Sequence, residues 1–221
     1  MTDPAPAPDD PRGASRAAAF KAGYTASARS LASRSILGLA RTRVTPNALT
    51  AAGVALCGVA SILVLFENRN EIAFYWAAAV TFVAGSILDI LDGALARAGG
   101  KSTPFGAFLD STTDRVSECF MLTAIAYVLA RQGRDVFVAV AMAAMAGSIL
   151  VSYTRARAEA LGLRGDVGIG SRAERVVVIT AGLVLAPWGV LPWAIALLAA
   201  TAWITVCQRV LHVRRQLGGH S

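Results

Sequence analysis

The chain has 221 residues, of which 55% are hydrophobic and 16% charged, and it carries a formal net charge of +7. So little water-facing chemistry excludes an ordinary soluble domain, and several runs of roughly 20 mainly apolar residues indicate a polytopic membrane protein. The basic excess calls for no nucleic-acid partner, because arginines at the edges of membrane spans anchor a protein to an anionic leaflet.

In chain order, residues 1–12 are rich in proline and aspartate, lack an apolar period, and read as a disordered tail. Residues 13–43 carry Arg16, Lys21, Arg29, Arg34, Arg41 and Arg43 among alanines and leucines. The long apolar core and cleavage site of a signal peptide are missing there. The expectation is an amphipathic helix lying in the membrane interface. Thr45-Pro46-Asn47 then opens the first of six expected spans, at 47–66, 72–97, 105–130, 135–158, 173–189 and 191–211. The expected fold is therefore all-α and integral to the membrane: six transmembrane helices, preceded by an N-terminal juxtamembrane amphipathic helix. Residues 44–213 make up the six-helix domain and 214–221 a cytoplasmic tail.

Six spans place both termini on one side. The basic N-terminal segment, the loop with Arg97 and Lys101, the loop with Arg164, Arg172 and Arg175, and the tail with Arg214 and Arg215 then share the cytoplasmic face, as the positive-inside bias requires. Arg131 and Arg134 fall on the other side, a local cost. Cys57, Cys119 and Cys207 sit in apolar segments, match no disulfide or metal spacing, and are read as buried thiols. There is no internal repeat.

The chemistry concentrates in residues 89–114, which read D-x2-D-G-x2-A-R-x8-G-x3-D-x3-D. Carboxylates at bilayer depth cost several kcal/mol each unless they meet counter-charges or line a polar cavity. A helix turns about 100° per residue, so Asp89 and Asp92 lie about 60° apart with Ala96 between them. Gly93 and Ala96 keep that stripe small. Gly106, Asp110 and Asp114 step by four and share one face of the next helix. The turn around Gly99, Gly100 and Pro104 folds the two helices antiparallel, so both acidic faces converge near the cytoplasmic boundary. Hard oxygen ligands in that number favour two Mg²⁺ ions, with Mn²⁺ as a substitute, and such a pair can clamp a pyrophosphate. Interhelical salt bridges with Arg97, Lys101 and Arg115 would not require four acids on converging faces. A transporter's cation path would not require the fixed glycine and alanine positions.

All eight positions of this pattern resemble the signature of the CDP-alcohol phosphotransferase family, integral membrane enzymes that make phospholipids. The resemblance implies that Asp89 and Asp110 bridge two metals, that Asp92 completes one, and that Asp114 binds the other and acts as general base. It implies contacts from Gly93, Arg97 and Thr103 to the CDP part of CDP-diacylglycerol, with the segment Asn47, Ala48, Leu49 and Thr50 closing over the cytidine. It also implies a homodimer, located in the cell membrane with its active site facing the cytoplasm.

Beyond the signature, residues 151–166, 172–178 and 207–213 resemble the family's actinobacterial phosphatidylinositol phosphate synthases. The likeness extends over most of residues 45–213. Arg155 stands where that group has lysine, and Ala173 where proline is common. The implied acceptor is 1D-myo-inositol 3-phosphate; glycerol 3-phosphate is the nearest alternative and transport a remote one. Ser152, Arg155 and Glu159 share a face of the fourth span, while Arg157 points about 140° away from Ser152. Arg155, Arg175 and Arg209, from three helices at the depth of the acids, together with Ser152, are thus the expected site for the acceptor's phosphate.

Overall fold

The structure, a computed structural model, describes residues 45–98 and 103–218. The expected tail over 1–12, the amphipathic helix over 13–43 and the turn at Gly99 and Gly100 lie outside the described residues. Among the described residues six α-helices follow one another: α1 (Pro46–Val64), α2 (Glu71–Ala98), α3 (Pro104–Arg131), α4 (Asp135–Ala160), α5 (Arg172–Val184) and α6 (Leu191–Gly218). The described residues contain no strand. The all-α expectation holds. Four helices, α1, α2, α4 and α6, are long and apolar enough to cross a membrane.

Local chemistry explains where these helices begin. Thr45 and Thr103 each precede a proline at the first helical position and accept a hydrogen bond from the amide three residues on, Ala48 N at 3.3 Å and Gly106 N at 3.0 Å. Ser171 and Glu174 form a reciprocal capping box that starts α5. At the end of α4, Gly162 takes up a left-handed φ of 72°, a conformation open to glycine at no steric cost.

The fifth span departs from expectation. Helix α5 has 13 residues and stops at Val184, and residues 186–188 form a separate 3-10 turn. Pro187 has no amide to continue the helical ladder. At about 1.5 Å per residue, α5 is roughly 20 Å long, short of a hydrocarbon core of roughly 30 Å. Trp76 of α2 donates its indole N–H to the carbonyl of Val184 at 3.1 Å, occupying one of the acceptors left at that helix end.

Helix α1 packs on α2 and α3, α4 on α6, and α5 on both α2 and α6. Lipid is as apolar as leucine, so association rests on close contact between small residues more than on hydrophobic exclusion. Gly53 and Gly85 supply that contact between α1 and α2: a Cβ at Gly85 would stand 2.8 Å from both the Gly53 carbonyl oxygen and Cys57 Sγ. Gly147 against Ala202 and Gly182 against Ala194 do the same elsewhere. The core around Tyr75, Met121, Ile125, Leu129, Ile179 and Leu198 is fully buried, while Val80, Ile90, Val177 and Trp193 face outward.

Two finer expectations change. All three cysteines are free thiols, but only Cys57 is buried; Cys119 is half-buried and Cys207 exposed, because α6 turns residue 207 away from its neighbours. Arg131 is not left as an uncompensated cost. It pairs with the buried Glu67 and donates to the Leu65 carbonyl at 3.0 Å, closing the end of the bundle opposite the signature acids.

Candidate active site

Helices α2 and α3 bring the acids together as their periodicity requires. One oxygen from each of Asp89, Asp92 and Asp110 lies within 4.8 Å of the other two, with Asp89 and Asp92 buried and Asp110 half-buried. Asp92 Oδ2 accepts from Thr50 Oγ1 across the α1–α2 contact, whereas Asp92 Oδ1 is buried with no hydrogen-bond partner. A buried carboxylate oxygen without a donor, facing two further carboxylates, costs several kcal/mol unless a cation meets it. Three hard oxygen donors at this spacing fit a divalent ion such as Mg²⁺ or Mn²⁺.

Asp114, one turn beyond Asp110, stands outside that triplet. Its Oδ1 lies 2.6 Å from Arg172 Nη2, an ion pair without hydrogen-bond alignment, and Arg172 Nη1 donates to Asp89 Oδ2. One guanidinium from the start of α5 thus bridges an acid of α2 and an acid of α3.

A 260 Å³ cavity opens on Asp92 and Asp110. Of the expected nucleotide contacts, Asn47, Thr50, Gly93, Arg97 and Thr103 all line it, beside Asp92 and Asp110. Gly93 leaves room for Arg97: a Cβ there would stand 3.3 Å from Arg97 Nη1. Ala48 and Leu49 do not line the cavity. Leu49 is buried in helix packing and Ala48 is exposed, since consecutive helical residues cannot all face one way. Thr45, Pro46, Ala96, Gly106 and Ala107 complete the wall.

The expected acceptor residues are brought near one another but are differently engaged. Arg155 is exposed and pairs with Glu159 at 2.8 Å. Arg175 is buried, holds both oxygens of Glu118 at 2.8 and 3.1 Å, and donates to the Gly170 carbonyl at 2.8 Å. Arg209 is buried and donates to the carbonyls of Val167, at 2.9 Å, and Val151. Arg155 and Arg175 lie within electrostatic reach of Arg209. Ser152 is half-buried and lines none of the described cavities. A 190 Å³ cavity between α4 and α6 is lined by Arg157 and Arg209 and not by Arg155.

Sequence reasoning missed two residues. Arg172 looked like one more cytoplasmic arginine. Glu118 went unread, although it continues the step of four through Gly106, Asp110 and Asp114 and so falls on the same stripe.

A bundle of apolar helices that gathers carboxylates beside a cavity at one end is suited to act on a charged group at a membrane. Residues 43–211 match the CDP-alcohol phosphatidyltransferase family, and the chain belongs to it. It is 39% identical over 183 residues to the phosphatidylinositol phosphate synthase of Mycobacterium marinum, covering 80% of this chain and 76% of that one. It is 38% identical over 180 residues to the archaetidylinositol phosphate synthase of Pyrococcus horikoshii, covering 81% and 88%. Its fold is similar to crystal structures of the Mycobacterium tuberculosis phosphatidylinositol phosphate synthase at 32% identity. The TM-score is 0.73 with CDP-DAG bound (82% of this chain, 92% of that one) and 0.74 in complex with manganese and citrate (82% and 88%). The protein is thus a multi-pass membrane transferase of phospholipid biosynthesis, and its acid cluster is suited to a divalent metal.

Proposed function

We propose that this enzyme transfers the phosphatidyl group of CDP-diacylglycerol to 1D-myo-inositol 3-phosphate, giving phosphatidylinositol phosphate and CMP. The observation that carries the reaction is the triplet of acids, two of which, Asp92 and Asp110, line a cavity shared with the signature's Gly93 and Arg97. The acceptor reading is supported by relatives whose names share inositol phosphate while differing in the lipid, and by Arg155, Arg175 and Arg209 near the same end of the bundle.

Asp89, Asp92, Asp110 and Asp114 would hold the two Mg²⁺ ions. Bound there, divalent ions would neutralise the pyrophosphate and stabilise the charge that develops in the displacement. The chain's own groups do the rest. Arg97, Gly93, Thr103, Asn47 and Thr50 hold the nucleotide. Asp114 accepts the proton of the attacking inositol hydroxyl as the new O–P bond forms and the bond from phosphorus to CMP breaks. The arginines hold the acceptor's phosphate so that this hydroxyl meets the lipid-bearing phosphorus. Stabilisation of this kind acts by position and charge more than by covalent participation.

In this reading all six helices cross the bilayer. The polar stripe of α3 faces the bundle interior, and the segment after α5 completes the fifth crossing. Both ends of the six-helix domain and the active site face the cytoplasm of the cell membrane, residues 44–213 form the catalytic domain, and two copies pair as a homodimer. The deciding experiment incubates purified protein with CDP-diacylglycerol and a panel of labelled alcohols. CMP release with inositol phosphate and not with glycerol 3-phosphate, free inositol or serine is expected; preference for another alcohol overturns the acceptor assignment.

A further inference from the structure

Arg172 has no part in the chemistry above, yet its guanidinium donates to Asp89 Oδ2 and lies 2.6 Å from Asp114 Oδ1. Asp89 belongs to the carboxylate triplet, and Asp114 is the group placed to take the hydroxyl proton. The backbone of Arg172 is firmly held. The Ser171–Glu174 capping box fixes the start of α5, and the preceding loop is pressed on α6, where a Cβ at Gly170 would stand 2.8 Å from Thr205 Oγ1. One turn on, Arg175 is locked to Glu118 and the Gly170 carbonyl. The Arg172 side chain is the part free to move: it is 32% exposed, and among the described residues its hydrogen-bonded and ion-paired partners are the two acids alone.

A guanidinium donating to Asp89 Oδ2 and a divalent cation on the same carboxylate would stand as two positive groups close together, so each weakens the hold of the other. We propose that Arg172 is an internal competitor for the cation site: a divalent ion loading on Asp89 displaces its guanidinium, and a site without its cation is held neutralised in part by Arg172. The proposal rests on the metal reading of the acids given above.

The test is Mn²⁺ binding to the purified full-length protein, measured by calorimetry or by the electron paramagnetic resonance signal of free Mn²⁺, without substrate or turnover. Arg172→Gln should bind Mn²⁺ roughly tenfold tighter or more, since one charge-assisted contact no longer has to be broken. Removing any nearby positive charge strengthens cation binding somewhat, and Arg115→Gln measures that effect: Arg115 lies within electrostatic reach of Asp110 but holds none of the four acids. Its expected gain is smaller, about twofold, because it holds none of the carboxylates. Arg172→Lys keeps the charge but cannot span both carboxylates, and should fall between the two, which keeps the test open if the glutamine variant does not fold. Equal affinity in wild type and both Arg172 variants, or as large a gain in Arg115→Gln, overturns the competitor role and leaves the metal reading intact. Absence of Mn²⁺ binding in every folded variant overturns the metal reading itself, and the proposal with it.

Discussion

Replacing Arg175 by glutamine perturbs two things that the structure ties together. The Arg175 guanidinium spends two contacts on Glu118, at 2.8 and 3.1 Å, and one on the Gly170 carbonyl, and both side chains of the pair are nearly buried, at 6% and 12% exposure. Removing one partner of a buried pair strands the other charge and costs about 3–5 kcal/mol. Arg175→Gln should therefore lose most of that amount in detergent unfolding experiments, and the double variant Glu118→Gln, Arg175→Gln should recover much of it, because no carboxylate is left stranded. The proposed contact with the acceptor's phosphate behaves differently. A charge-assisted bond contributes about 1.5–3 kcal/mol, or tenfold and more in KM, and that loss should persist in the double variant while KM for CDP-diacylglycerol barely moves. The assay is steady-state CMP release against inositol phosphate concentration for both variants, set beside their unfolding midpoints. A double variant that regains normal stability together with normal acceptor KM would show that Arg175 only braces α5 against α3. Arg155→Gln and Arg209→Gln should raise the same KM.

Three further outcomes are expected. EDTA should abolish CMP release and Mg²⁺ or Mn²⁺ restore it, and Asp89→Asn or Asp110→Asn should remove activity at any metal concentration tested; full activity in EDTA would contradict the reading of the acid triplet. Asp114→Asn should lower kcat by at least about a hundredfold, the usual worth of a general base, with CDP-diacylglycerol binding nearly unchanged by equilibrium titration, because Asp114 does not line the cavity. Gly85→Val should lower both the unfolding temperature and kcat/KM, since its Cβ would meet the Gly53 carbonyl at 2.8 Å and push α1, with Thr50, away from Asp92.

Much of this protein is set by local pattern. Apolar runs, proline-preceded threonine caps and the Ser171–Glu174 box specify helices whose starts can be read directly, because capping involves residues only three apart. The convergence of Asp89, Asp92 and Asp110 was legible for the same reason: helical spacing puts each acid on a known face, and the short connection between α2 and α3 leaves one way to bring those faces together. What the pattern could not supply were partners chosen by the relative rotation and approach of distant helices. Thr50 reaches Asp92 because Gly53 and Gly85 let α1 and α2 touch. Glu118 meets Arg175 across 57 positions, and Arg172 crosses 83 to reach Asp89 while also meeting Asp114. By local pattern Arg172, Arg175 and Arg164 are three arginines in and beside one polar loop, and only the family resemblance singles out Arg175. Only the tertiary structure turns one of them into the acids, buries the second against Glu118 and leaves the third at the surface, because burying an arginine depends on which carboxylates and carbonyls the folded helices bring to meet it.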